Sequence, residues 1–404
     1  MDPHAVIARS EATKQSSGSR RSAGLLRSAR NDGSGAPLAL YIHWPFCVSK
    51  CPYCDFNSHV RDRVDQQVWR DALLADLAFE AAQTEGLTLR SIFFGGGTPS
   101  LMGPATVAAL IEAAERHWGF DPGIEITPEA NPSSVEAARF ADLAAAGVNR
   151  VSLGLQSLDD EALRFLGRAH GVAEGLAALE TAQRAFARTS FDLIYALPGQ
   201  SEAQWRSELA RALSFGTGHL SLYQLTIEPG TRFAALAAKG TLPPVDPDHG
   251  ATLYETTQAM TEVAGLPAYE ISNHARPGEE SRHNLIYWRY GAYAGVGPGA
   301  HGRRGGAFTR RHKKPENFLS ALARNGYGIA EEMPLSSEDA ATETLLMGLR
   351  LREGVARAAV GRAVDWNAAR RLEAQGLLAC DAERLRATPA GMLLLDAILR
   401  EIAL

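Results

Sequence analysis

Three cysteines crowd into eight positions of this 404-residue chain, Cys47, Cys51 and Cys54, in the spacing C-x3-C-x2-C. Spacing this tight lets one loop wrap one metal centre, and thiolates suit a soft iron–sulfur cubane. Three of them bind three irons of a four-iron cluster and leave the fourth iron open to an outside ligand. Structural zinc is the competing reading, and its closed tetrahedron needs a fourth ligand such as His43, His59 or Asp55. Zinc ligands usually come as two C-x2-C units or with a downstream histidine pair, and no second cysteine pair follows here. Cys380 lies far down the chain and reads as a packing residue.

Other polar groups recur just after apolar runs. Phe93-Phe94-Gly95-Gly96-Gly97-Thr98-Pro99 places three residues without Cβ in a row, so that backbone carbonyls can approach a bound ammonium. The phosphate-cradling alternative needs a following Lys or a G-x-G-x-x-G pattern, and neither is present. Glu129, in Ile-Thr-Pro-Glu-Ala-Asn-Pro, reads either as a carboxylate at a site or as a solvated surface acid. Gln156 ends Arg150-Val-Ser-Leu-Gly-Leu-Gln and offers both donors and an acceptor to a polar ligand edge. Arg168 and Asp192 fall in largely apolar surroundings, where a buried charge is costly unless paired or ligand-bound.

Positioning these groups falls to short β-branched or aromatic runs that alternate with longer helical patterns, the signature of repeated βα units and a parallel sheet. Six strands are expected, at residues 38–44, 91–94, 124–127, 150–155, 191–195 and 219–225. Six units are too few for a closed eight-fold barrel, so the fold class is α/β with a partial TIM-like barrel. The cysteine loop follows the first strand directly, on the C-terminal face where such folds place their sites. In the helix after it, Val68, Ala72, Leu73, Ala75 and Leu77 share helical spacing, and Asp71, Asp76 and Glu80 are expected on the other side.

The chain divides by composition. Residues 1–36, rich in Ser, Arg, Gly and Ala without periodicity, are expected to be a disordered leader. Residues 37–230 carry the barrel. Residues 231–335, punctuated by prolines and a Gly-rich tract from Gly291 to Gly306, form a mixed extension. Residues 336–404 read as a small helical or winged-helix-like tail, with a strand pair near Arg384.

A net charge of −5 leaves no basic field for a nucleic acid. No run of 18 apolar residues occurs, and the N-terminus lacks the apolar segment of a secretory signal, so the expected compartment is the cytosol. Four cysteines in a chain this long do not make a disulfide framework.

The cysteine spacing, with an aromatic residue at Tyr53 before the last cysteine, resembles the radical S-adenosylmethionine superfamily. From Tyr41 onward the chain is similar to the coproporphyrinogen oxidase-like branch, and within it to the HemW-type haem chaperones. Tyr41-Ile-His-Trp-Pro-Phe-Cys47, Leu220-Ser-Leu-Tyr-Gln-Leu-Thr-Ile-Glu228, Tyr269-Glu-Ile-Ser-Asn273 and His283-Asn-Leu-Ile-Tyr-Trp288 carry that likeness. The resemblance implies a [4Fe-4S] cluster on Cys47, Cys51 and Cys54, with S-adenosylmethionine on its open iron. It implies cofactor contacts from Gly96, Gly97 and Thr98 at the methionine amine, from Glu129, Gln156, Arg168 and Asp192, and from Tyr41, Tyr53 and Gln224. The coproporphyrinogen dehydrogenases of this branch carry a fourth cysteine where this chain has Phe56, and they lack the His283–Trp288 pattern. Haem binding at His283, with His301 as a second candidate ligand, is therefore implied, as is delivery to respiratory acceptors by a protein that visits the membrane surface. Tyr287 and Trp288 offer flat apolar faces to a porphyrin, although a core histidine beside two packed aromatics has the same sequence. Arg303, Arg304, Arg310 and Arg311 would meet the propionates, or else form a solvated cluster. Coproporphyrinogen decarboxylation is the alternative activity, no catalytic residue is assigned, and a homodimer is left open.

Overall fold

The computed structural model describes residues 35–404. The expected leader lies outside the described residues except at its end, where Ala36 already opens a strand and pairs with Leu87. That strand, β1 (Ala36–Trp44), leads into a two-residue parallel pair, β2 (Phe46–Cys47) and β3 (His59–Val60), that frames the cysteine loop. Next come β4 (Leu87–Gly96), β5 (Phe120–Ala130), β6 (Arg150–Gln156), β7 (Arg188–Tyr195) and β8 (His219–Gln224), at the remaining five expected places. β1, β4, β5, β6, β7 and β8 pair in parallel in that order, the six-unit partial barrel.

Strand alternation divides the wall into two chemistries. Leu38, Leu40, Ile42, Ile92, Phe94, Val151, Leu153, Phe191, Leu193, Leu220 and Leu222 face outward into the main apolar core. Helices α1 (Gln66–Gln83), α2 (Pro104–Trp118), α3 (Val172–Ala185) and α4 (Glu202–Leu213) cover them, with Leu73, Leu110, Leu179 and Trp205 as buried anchors. The alternate positions, among them Tyr41, His43, Thr127, Ser152, Asp192 and Ser221, look inward, so the barrel interior is polar.

After β8 come α5 (Arg232–Ala238), α6 (Pro247–Val263), β9 (Asn273–Ala275) and α7 (Arg282–Trp288). The Gly-rich tract is not all loop, for it holds β10 (Ala292–Val296) and β11 (His301–Arg304). β10 pairs in parallel with β1, while β11, β12 (Ala307–Arg311) and β13 (Ile329–Pro334) continue outward antiparallel. With β9 on the far edge, the described residues form one eleven-stranded sheet.

Two expectations about charge are corrected here. Asp76 and Glu80 of α1 are buried, not solvated, because Arg311 and Arg304 reach them from the extension. Arg311 Nε lies 3.2 Å from Asp76, its Nη2 lies 2.5 Å from Glu80, and Arg304 Nε lies 2.7 Å from Glu80. The four arginines, read either as propionate partners or as a solvated cluster, are engaged within the protein: Arg303, Arg304 and Arg311 are buried, Arg303 faces Glu343 and lies over Tyr290, and the partly exposed Arg310 pairs with Glu331.

Beyond α8 (Pro315–Asn325) and β13, the tail has a core of its own, built on Leu345, Leu349, Leu372, Leu385 and Ile398. It comprises α9 (Ser337–Gly348), β14 (Val355–Ala356), α10 (Trp366–Ala374), β15 (Leu378–Cys380), β16 (Arg384–Ala387), α11 (Pro389–Leu393) and α12 (Leu395–Ile402). Short helices on a three-stranded sheet of order β14-β16-β15 give the winged-helix-like form.

Candidate cofactor site at the barrel mouth

β1 ends at Trp44 and hands the chain to the cysteine loop, whose shape is fixed from a distance. Asn57 Nδ2 donates to Pro298 O and to Lys313 O, both at 2.9 Å, and so ties the loop to the extension. The backbone N–H of Phe233, on α5, donates to Pro52 O at 3.0 Å, and its ring approaches Tyr53 with centroids 6.3 Å apart.

Each of the three thiols has a polar neighbour. Thr98 Oγ1 donates to Cys47 Sγ at 3.5 Å, Arg168 Nη1 donates to Cys51 Sγ at 3.4 Å, and Ser58 Oγ lies 4.0 Å from Cys54 Sγ. Burial lifts the Cys47 thiol above its ordinary pKa and Cys54 to about 11. Donors aimed at sulfur favour thiolate, and irons would supply the positive charge that burial withholds. Arg168 adds a further sign: Nη2 is held by Asn131 Oδ1 at 2.6 Å and Gly154 O at 2.9 Å, while its buried Nε has no hydrogen-bond partner among the described residues. An orphaned donor beside a thiol is what a site for an anionic cluster and a carboxylate-bearing ligand leaves behind. Cys47, Cys51 and Cys54 would hold such a cluster, with Arg168 and Thr98 beside its thiolates, and the cluster would supply an iron open to an outside ligand and one-electron chemistry.

The zinc alternative finds less support in the same geometry. His43 Nδ1 lies 2.9 Å from Tyr41 Oη and His43 Nε2 lies 2.9 Å from Asn57 O, while His59 Nε2 is 3.3 Å from Asn57 Oδ1. Among the described residues no three His, Cys, Asp or Glu side chains close on a single ion. A cubane spreads its three sulfurs over three irons and needs no such closure.

The structure brings most of the expected residues to this mouth. Tyr41 points inward next to His43, and the His43 ring lies where a Cβ on Gly96 would be, 2.6 Å away, at a φ of +113°. A Cβ on Gly97 would meet Phe46 O at 2.6 Å. Gly96 and Gly97 thus let the β4 loop lie against the first strand, which seats Thr98 over Cys47. Burial keeps the Tyr53 phenol protonated well above its ordinary pKa, with the cation of Arg168 opposing that shift. Glu129 is half-buried on β5, opposite Ser152 of β6. Gln156 has a φ of +69°, uncommon for a residue with a side chain. A Cβ on Gly154 would meet Gln156 Nε2 at 2.8 Å and Arg168 Nη2 at 3.5 Å, so Gly154 is the gap in which the two side chains converge. Asp192 accepts from Ser152 Oγ at 3.3 Å, and burial raises its carboxyl from 3.8 to about 6.

Gln224 departs from expectation. Leu220 and Leu222 face outward, so Gln224 does too, and its amide donates to Gly250 O at 2.7 Å outside the barrel. His283 departs as well. Its ring is 1% exposed, lies 2.8 Å from Ser91 Oγ through Nδ1, and stacks on Phe93 at 4.9 Å, and Tyr287 and Trp288 are equally enclosed. α7 plugs the inner face of β4, with His283 N donating to Glu125 at 3.1 Å, so the three rings present no open face to a porphyrin. His301 is buried against Phe308. Phe56 is 38% exposed on the cysteine loop.

Sequence reasoning missed Glu136, a buried acid that accepts from Ser100 and, at 2.8 Å, from Asn131 N. Through Asn131 it steadies Thr98 and Arg168. Its place three residues after Ser133, a helix N-cap, was the available signal.

A three-thiol loop at the C-terminal mouth of a six-unit α/β barrel defines a radical S-adenosylmethionine protein, and residues 41–212 match the Radical SAM superfamily. Residues 335–394 match the HemN C-terminal domain. Heme chaperone HemW of Mycobacterium tuberculosis is 38% identical over 91% of this chain and 95% of its own length. Radical S-adenosyl methionine domain-containing protein 1, mitochondrial, of Bos taurus is 39% identical over 89% of this chain and 86% of its own. The chain belongs to the radical S-adenosylmethionine superfamily, in its HemN-like branch and HemW-type group. Among solved structures, coproporphyrinogen III oxidase (HemN) from Escherichia coli superposes with a TM-score of 0.77 at 23% identity, over 91% of this chain and 90% of that one, a likeness of fold.

Proposed function

We propose that this protein is a haem chaperone that carries a [4Fe-4S] cluster with exchangeable S-adenosylmethionine and passes haem to acceptor proteins, respiratory enzymes among them. The observation that carries this reading is near full-length identity to relatives named heme chaperone, 38% over 95% of one of them. The exposed Phe56 supports it, because an apolar ring stands where the decarboxylating enzymes are expected to carry a fourth cysteine. Among the described residues no helix is long and apolar enough to cross a membrane.

The test is one anaerobic reconstitution, scored in a single sample for iron and sulfide, for bound haem by its Soret band, and for conversion of coproporphyrinogen III. Cluster and haem without conversion is the expected result. Robust conversion would replace the chaperone reading with oxidative decarboxylation, and stoichiometric zinc without sulfide would remove both.

A further inference from the structure

Asn131 follows the last residue of β5 and stands between two side chains that reach the cysteine loop. Its Oδ1 accepts from Arg168 Nη2 at 2.6 Å, and its Nδ2 donates to Thr98 Oγ1 at 3.2 Å. Thr98 Oγ1 in turn donates to Cys47 Sγ at 3.5 Å, and Arg168 Nη1 to Cys51 Sγ at 3.4 Å. Every bond in this chain has a forced direction. A guanidinium has no acceptor, so it must face the amide oxygen, which leaves the amide nitrogen for Thr98. With a lone pair turned to Asn131, the Thr98 hydroxyl keeps its single proton for sulfur.

Asn131 is itself held in place. Pro132 confines its backbone to extended conformations, and its N–H donates to Glu136 at 2.8 Å. Glu136 is buried and also accepts from Ser100. On the other side, a Cβ on Gly167, whose φ is +67°, would meet Pro52 Cδ at 2.6 Å, so a glycine there lets Arg168 approach the cysteine loop.

We propose that Asn131 is a positioning residue that sets the reduction potential of the cluster, by aiming the Thr98 hydroxyl at Cys47 and the Arg168 guanidinium at Cys51. This rests on the cluster reading of the three thiols and not on haem. Reduction adds one negative charge to the cluster and its thiolates. A donor to sulfur stabilises that more negative state, so each such bond raises the potential. The two bonds also act as a unit. Arg168 polarises the amide and the amide polarises the hydroxyl, since hydrogen bonds in series strengthen one another away from water. Without Asn131 the guanidinium still has Gly154 O, at 2.9 Å, as an anchor, whereas Thr98 loses the donor that turns its proton toward sulfur.

The experiment is an anaerobic redox titration of the cluster-loaded chain, without S-adenosylmethionine, followed by the electron paramagnetic resonance of the reduced cluster. In Asn131→Ala the ratio of reduced to oxidised cluster at a fixed ambient potential should fall at least tenfold, a shift of about 59 mV for one electron. Thr98→Val should move the midpoint in the same direction, and the double variant should go no lower than Asn131→Ala, because the amide acts through the hydroxyl. A change that only loosened the fold would lower cluster content and leave the midpoint of the remaining cluster where it was. The unmodified chain gives a reading that does not depend on how the variants fold: its iron–cysteine stretching bands in resonance Raman spectra should shift on exchange into deuterium oxide. An unchanged midpoint in Asn131→Ala, effects that add in the double variant, or no deuterium shift in the parent overturns the role of Asn131 while the cluster stands. A parent chain that takes up no iron and sulfide brings down the cluster assignment and this inference together.

Discussion

At the level of single residues, the cysteine loop was readable because its chemistry is local: three thiols in one turn need no distant partner to declare themselves. Gln224 was misread even though the signal was there, for the alternation of Leu220 and Leu222 dictates its side of the wall. His283 was ambiguous in principle, since a ligand and a core imidazole beside two aromatics share one sequence, and only the seat of α7 against β4 separates them. Asp192 yields a prediction with a definite sign. Burial raises its pKa from 3.8 to about 6, so the folded chain holds this proton more tightly than the unfolded one. The resulting stabilisation is full below about pH 4 and is lost as pH rises through 6. Asp192→Asn should therefore be more stable than the parent at pH 8, on the order of 1–3 kcal/mol, with the gap closing by pH 4. The same change should weaken S-adenosylmethionine binding. Thermal melts of both proteins across that range decide it, and parallel curves would show that the carboxylate is not strained.

Among the elements, the six barrel strands could be read from their apolar runs, and all six lie where expected. The polar face of α1 could not, because a helical pattern shows which side chains are charged but not that arginines more than two hundred residues later will bury them. The same holds for the Gly-rich tract, where β10 gains its stability from pairing with β1, and β11 from pairing with β10 and β12, rather than from β-propensity. Asp76 is the point at which α1 and the extension are joined. Its carboxylate accepts from Gly297 N and Gly328 N, both at 3.0 Å, and from Arg311 Nε. Asp76→Ala leaves the buried Arg311 with Glu80 as its remaining carboxylate and orphans two backbone donors, at a cost of about 3–5 kcal/mol. The urea midpoint should fall by that equivalent with an unchanged slope. Adding Arg311→Met should recover part of the loss; no recovery would mean that the two side chains act independently.

For the molecule as a whole, the two ligands of the proposed function make a prediction about additivity. A ligand at a hundred times its dissociation constant stabilises the native state by about 2.7 kcal/mol. S-adenosylmethionine and haem should each raise the melting temperature of the cluster-loaded chain, and together give nearly the sum. A combined shift no larger than the greater single one would indicate a shared seat. The division of labour between barrel, extension and tail was partly apparent from proline and glycine punctuation, but their fusion into one sheet was not, since strand neighbours far apart in sequence leave no local mark. β1 sits mid-sheet, flanked by β4 on one edge and β10 on the other. During translation, its second neighbour does not exist until the ribosome has passed Val296, and the carbonyls that brace Asn57 arrive with Pro298 and Lys313. The nascent chain thus exposes its thiols long before it can shape them, so metallation in the cell must be a late event, and oxygen or stray metals have until then to spoil it.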